Sequence, residues 1–95
     1  MNEIDRVKKI VKSIRVMQLA TSQNKQPYLC TLHFYADSDF NLYWFSRAGR
    51  KHSIDIANNS KVSAYILIHE DTKEEPYVIW TTIMGEAKLV DKPNE

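Results

Sequence analysis

The residues best placed to do chemistry are concentrated in one short stretch, Ser46-Arg47-Ala48-Gly49-Arg50-Lys51-His52. A hydroxyl, a glycine and a run of cationic side chains stand between an apolar strand and the start of a helix. Such a junction offers free backbone N–H groups and the positive end of a helix dipole, both suited to a phosphate. Arginine adds a bidentate donor fork and lysine a compact charge. The Gly-x-x-x-x-Gly-Lys-[Ser/Thr] spacing of a P-loop is absent, and a solvated basic loop is the competing reading.

Other reactive side chains are scattered. His33, His52 and His69 lack metal-ligand spacing and have no close carboxylate pair, so no metal site is expected. Cys30 is the sole cysteine, which excludes an internal disulfide framework. It alternates with Tyr28, Leu32 and Phe34 on an apolar strand face, where a thiol serves as a small hydrophobe. His33 points to the other face, so no Cys–His pair forms. No nucleophile elbow and no Ser-His-Asp order stands out in the sequence. The aromatic residues Phe34, Tyr35, Tyr43, Trp44, Phe45, Tyr65, Tyr77 and Trp80 crowd around the basic turn. Alternation sends Trp44 to one face and Tyr43 and Phe45 to the other, so one set could line a slot for a planar ring.

The elements that must position these groups follow from periodicity. Ile4, Val7, Ile10, Val11 and Ile14 form one helical stripe, which predicts a helix over about 2–14. The period then drops to two. Strands are expected over 16–21, 28–35, 42–45 and 61–69, with Val62, Ala64, Ile66 and Ile68 on one face of the last. A polar loop joins the first two, and Asp37-Ser38-Asp39 turns the second and third into an antiparallel hairpin. A short helix is expected over 50–58 and a charged loop over 70–76. The stretch 77–90 exceeds an ordinary strand, with Gly85 marking a bulge.

The chain has 95 residues, 43% hydrophobic and 26% charged, which predicts one domain, 1–95. Thirteen basic against twelve acidic residues give a net charge of +1, unlike the basic footprint of a nucleic-acid binder. The longest apolar run, Ala64 to Ile68, is far short of the roughly 20 residues of a membrane span. With a polar start at Met1 to Asp5, these features predict a soluble cytoplasmic protein. Five strands leave open edges, to be covered by a partner chain or by further strands of a longer parent.

Several stretches resemble one family. Met17-Gln18-Leu19-Ala20-Thr21 through Pro27, Asn41-Leu42-Tyr43-Trp44-Phe45-Ser46, the run from Arg50 to Ser63, and Gly85-Glu86-Ala87-Lys88-Leu89-Val90 are similar, in order and spacing, to the pyridoxamine 5′-phosphate oxidase-like, FMN-binding split-barrel family. Ser60 stands where the family has proline, and His52 where many members carry a phosphate-binding lysine. The resemblance implies a mainly β fold with short helices, an antiparallel split β-barrel whose last strands and helix follow beyond residue 95. It implies a homodimer with two FMN sites at its interface. The phosphate would lie on Ser46, Arg50, Lys51 and His52, and the ring along Thr31 and His33 with Phe45 at its end. The implied function is that of a flavin-dependent oxidoreductase acting on an unidentified small molecule. The alternative is a non-catalytic dimeric module for flavin, deazaflavin F420 or heme.

Overall fold

The computed structural model describes residues 2–69, 72–76 and 78–90. Helix α1 (Glu3–Ser13) is followed by strands β1 (Val16–Gln23), β2 (Gln26–His33), β3 (Tyr35–Ala36) and β4 (Leu42–Tyr43). Helix α2 (Lys51–Asn58) then precedes β5 (Lys61–His69) and β6 (Ile79–Glu86). The four long strands make one antiparallel sheet in the order β2-β1-β5-β6, and β3 and β4 form a separate ribbon. Helix α1 starts where Asn2 caps it, its side-chain oxygen accepting from the Asp5 N–H at 2.8 Å.

Three expectations are corrected. The expected hairpin of the second and third strands holds only at its turn end, where Tyr35 meets Tyr43, and the long partner of β2 is β1, paired from Val16↔His33 to Gln23↔Gln26. The β1–β2 turn is only Asn24-Lys25, both at positive φ (52° and 64°), the geometry of the tight turns that match strand twist. Side-chain polarity over Ser22–Gln26 reads as a loop, but backbone pairing extends through it.

The expected strand 28–35 is also divided. Beyond Val16 no β1 residue remains to pair, so the Phe34 N–H takes the Arg15 carbonyl at 2.8 Å and the chain changes partner. Tyr35 and Ala36 then pair with Tyr43 and Leu42. Asp37 closes that ribbon, accepting from the N–H groups of Asp39 and Asn41 at 3.0 and 2.8 Å.

Lastly, Gly85 sits in regular register opposite Val62, and the irregularity falls across the sheet between Leu67 and His69. Strand β6 is shorter than the apolar stretch 77–90 that contains it. Tyr77, part of that stretch, lies outside the described residues, as do 70–71 of the expected loop.

One face of the sheet carries the core. Met17, Leu19, Ala64 and Ile66 are buried there with Phe34 and with Val11 of α1. Ile14, Leu42, Trp44 and Ile56 pack around them. The alternation read from Val62 to Ile68 holds, with Ala64 and Ile66 buried and their odd-numbered neighbours outward. Among the described residues, the opposite face is left bare. Leu29, Tyr65, Leu67, Trp80 and Met84 stand on it at 64, 36, 41, 55 and 82% exposure. Tyr65 and Trp80 stack there with ring centroids 6.5 Å apart.

Candidate functional site

Helix α2 lies on the core side of the sheet, and the basic turn delivers its first residue. Arg50 is the N-cap residue, extended at φ −69° and ψ 147°, with no side chain bonding the first-turn N–H groups. The Ile54 N–H reaches the Arg50 carbonyl at 3.0 Å, so the N–H groups of residues 51–53 precede the first intrahelical bond. No acidic residue lies in that turn. An uncapped, acid-free helix start beside an exposed guanidinium is a donor set that fits a phosphate monoester.

Ser46 closes over this end. Its Oγ lies 2.5 Å from His52 Nε2 and 2.7 Å from Ser53 Oγ. His52 is buried on α2. Burial first, then the Arg50 charge, pushes its imidazole below the ordinary value, against the opposing pull of Asp55. A neutral ring in hydrogen-bond reach of a hydroxyl results.

Lys51 turns the other way. Its Nζ lies 3.0 Å from Asp55 Oδ1 and 3.2 Å from Oδ2. It also lies 5.2 Å above the Tyr28 ring. Asp55 is fully buried and accepts from Thr21 Oγ1 at 2.8 Å. Burial opposes its ionisation, but hydrogen bonds from Lys51 and Thr21 outweigh that and hold its carboxyl below the usual range. Sequence reasoning missed Asp55. The i, i+4 spacing of Lys51 and Asp55 is a readable signal for an ion pair, but it reads as an ordinary surface pair.

The expected ring residues lie elsewhere. Thr31 and His33 are exposed on the bare face, and Thr31 Oγ1 donates to Gln18 Oε1 at 2.7 Å. Gln18, opposite both Thr31 and Tyr65, is a second residue that sequence reasoning left out. Phe45 is 83% exposed while Trp44 packs on the core, as alternation requires. Within one chain, therefore, Ser46, Arg50 and His52 come together, whereas Thr31 and His33 point off the opposite side of the sheet. Cys30 is half-buried against the core, and burial pushes its thiol up. Among the described residues no three His, Cys, Asp or Glu side chains gather as a metal site would require. No helix among them is long and apolar enough to cross a membrane.

The sequence pattern that defines the family described as pyridoxamine 5′-phosphate oxidase matches residues 4–95. No curated protein matches in sequence. Among solved structures, the conserved hypothetical protein Rv2991 from Mycobacterium tuberculosis is 23% identical with a TM-score of 0.77, the match covering 98% of this chain and 56% of that one. HutZ, the heme storage protein from Vibrio cholerae, is 18% identical with a TM-score of 0.78, covering 100% and 68%. A FAD-binding protein from Mesorhizobium loti is 25% identical with a TM-score of 0.68, covering 97% and 64%. These likenesses establish the split-barrel fold. The chain spans 56 to 68% of the length of these three structures.

Proposed function

The chain belongs to the pyridoxamine 5′-phosphate oxidase family, and from that premise we propose that it binds FMN between two copies of itself and serves flavin-dependent oxidation and reduction. The observation that carries this reading is the uncapped, acid-free start of α2 beside Ser46 and Arg50. There the phosphate accepts from the N–H groups of the first turn and from the Arg50 guanidinium, while His52 holds Ser46 at the rim. Bound FMN supplies the electron-transfer chemistry, and the chain supplies position and access. Gln18, Thr31 and His33 present amide, hydroxyl and imidazole groups to the polar edge of the ring, with Phe45 free to stack on it.

A second copy supports this arrangement in two ways. Thr31 and His33 lie across the sheet from α2, so a partner's helix end completes what one chain leaves apart. The bare apolar face also calls for cover. The chain exposes 7707 Å², against roughly 5,700 Å² for a compact monomer of its mass. The surplus, about 2,000 Å² on one chain, corresponds to about 4,000 Å² over a pair of chains, within the range of large homodimer interfaces.

The purified chain is therefore expected to be yellow, to show flavin bands, and to scatter light as a dimer. FMN should bind more tightly than riboflavin, which has the same ring and no phosphate. Arg50→Ala should cost one to two decades of that preference, since a hydrogen bond to a charged group contributes about 1.5–3 kcal/mol. Equal affinity for the two flavins in wild type, or an unchanged preference in Arg50→Ala, removes the phosphate assignment. A colourless protein that takes up no flavin removes the reading entirely. A second reading, heme in place of flavin, draws on the exposed imidazole of His33 on the bare face, and a Soret band decides for it.

A further inference from the structure

The basic turn holds fewer usable charges than its sequence suggests. Lys51 leaves the helix start and runs to Asp55, where both carboxylate oxygens meet its ammonium at 3.0 and 3.2 Å. The Tyr28 ring lies 5.2 Å beneath the same nitrogen. Asp55 is one helical turn further on, about 5.4 Å along the axis from the N–H groups that would meet an anion. His52, buried and bonded to Ser46, carries its ring in the neutral form.

We infer that Asp55 withholds Lys51 from the anion seat, which makes Asp55 a specificity-determining residue and leaves Arg50 and the backbone of α2 to recognise the phosphate. This rests on the reading of the turn as a phosphate seat. The physical reason is a comparison of two pairings. A carboxylate with no solvent exposure needs its counter-charge, and the single Thr21 hydroxyl does not replace an ammonium. An exposed lysine gains far less from a phosphate in water, and the Lys51 side chain is 47% exposed. Moving Lys51 to the ligand would strand Asp55, so the lysine stays. A phosphate that followed the lysine inward would also meet the negative charge of Asp55.

The test compares FMN with riboflavin, by fluorescence titration, on the full chain as wild type, Asp55→Asn, Lys51→Met and the Lys51→Met/Asp55→Asn double variant. The FMN-to-riboflavin affinity ratio isolates the phosphate from any general loosening of the fold. Freed from its partner, Lys51 should raise that ratio roughly twofold to fivefold in Asp55→Asn. Lys51→Met should leave it unchanged, and the double variant should return to the wild-type ratio. A ratio that falls in Asp55→Asn, or that falls in Lys51→Met as far as in Arg50→Ala, overturns the inference. Reductive methylation read by mass spectrometry gives a measure that needs no flavin. Lys51 should react more slowly than exposed Lys61 in wild type and at the same rate in Asp55→Asn. Equal rates in wild type overturn the inference even if Asp55→Asn does not fold. Equal affinity of wild type for FMN and riboflavin, with Lys51 still protected, counts against the phosphate seat alone.

Discussion

The two faces of the sheet have similar raw material and opposite fates. On one, Met17, Leu19, Ala64 and Ile66 disappear beneath α1, α2 and the β3–β4 ribbon. On the other, Leu29, Tyr65, Leu67, Trp80 and Met84 stand uncovered. A single strand shows the contrast most directly. Ile66 has no solvent exposure and Leu67, the next residue, has 41%. Apolar character by itself therefore does not define the core of this chain. The core is the face onto which the chain's own helices fold, and the second apolar face stays outside it.

The largest expected effect comes from truncating the covered face. Ile66→Ala should cost about 2–5 kcal/mol, because the side chain leaves a cavity that rigid neighbours cannot fill. Leu67→Ala should leave the stability of the folded chain within about 0.5 kcal/mol when measured at concentrations low enough to separate the proposed dimer. Denaturant melts of the two variants check the pair. Equal losses would show that the bare face is already part of the chain's own core.

Charge on the bare face should come next. Trp80→Glu places a carboxylate where a partner would cover it. An aromatic anchor buried in an interface typically contributes about 2 kcal/mol or more, so dissociation of the proposed dimer should rise at least about thirtyfold. Light scattering over a dilution series reads this. An unchanged profile would return Trp80 to the role of a solvent-exposed side chain.

Cys30 sharpens the contrast from the covered side. Cys30→Ala should lose about 1 kcal/mol and keep its flavin, since the half-buried thiol packs on the core and is held protonated. Thermal melts with and without FMN separate the two quantities. Loss of flavin with an intact fold would move Cys30 into the site.

The smallest effect is one of pH. The folded His52 has a lowered pKa, so below its unfolded value of about 6.5 the unfolded chain binds more protons than the folded one. Stability should fall as pH drops through that point, and His52→Gln should flatten the profile there. The Asp55 carboxyl, also lowered, adds its own loss only near and below about pH 4. Melts of wild type and His52→Gln between pH 5 and 8 check the sign. A wild-type stability that rises on acidification would contradict the buried neutral ring.

Much of the fold was legible because local pattern and local structure agree. The helical stripe from Ile4 to Ile14, the alternation from Val62 to Ile68 and the cluster around Ser46 and Arg50 are short-range features, set by periods of 3.6 and 2 and by residue type. The order of motifs was enough to identify the family. Pairing was not legible. Whether β2 joins β1 or the following strand depends on where β1 runs out of partners, and residues 22–26 look like a loop while pairing as a hairpin. The site divides in the same way. The positive character of Arg50-Lys51-His52 is written in the chain, but its availability is a tertiary property. Only packing could bury His52, set Asp55 and Thr21 beneath Lys51, and turn that lysine away from the helix start. Sequence determines which charges a chain carries, whereas desolvation and the partners reached across the fold determine which of them a ligand meets.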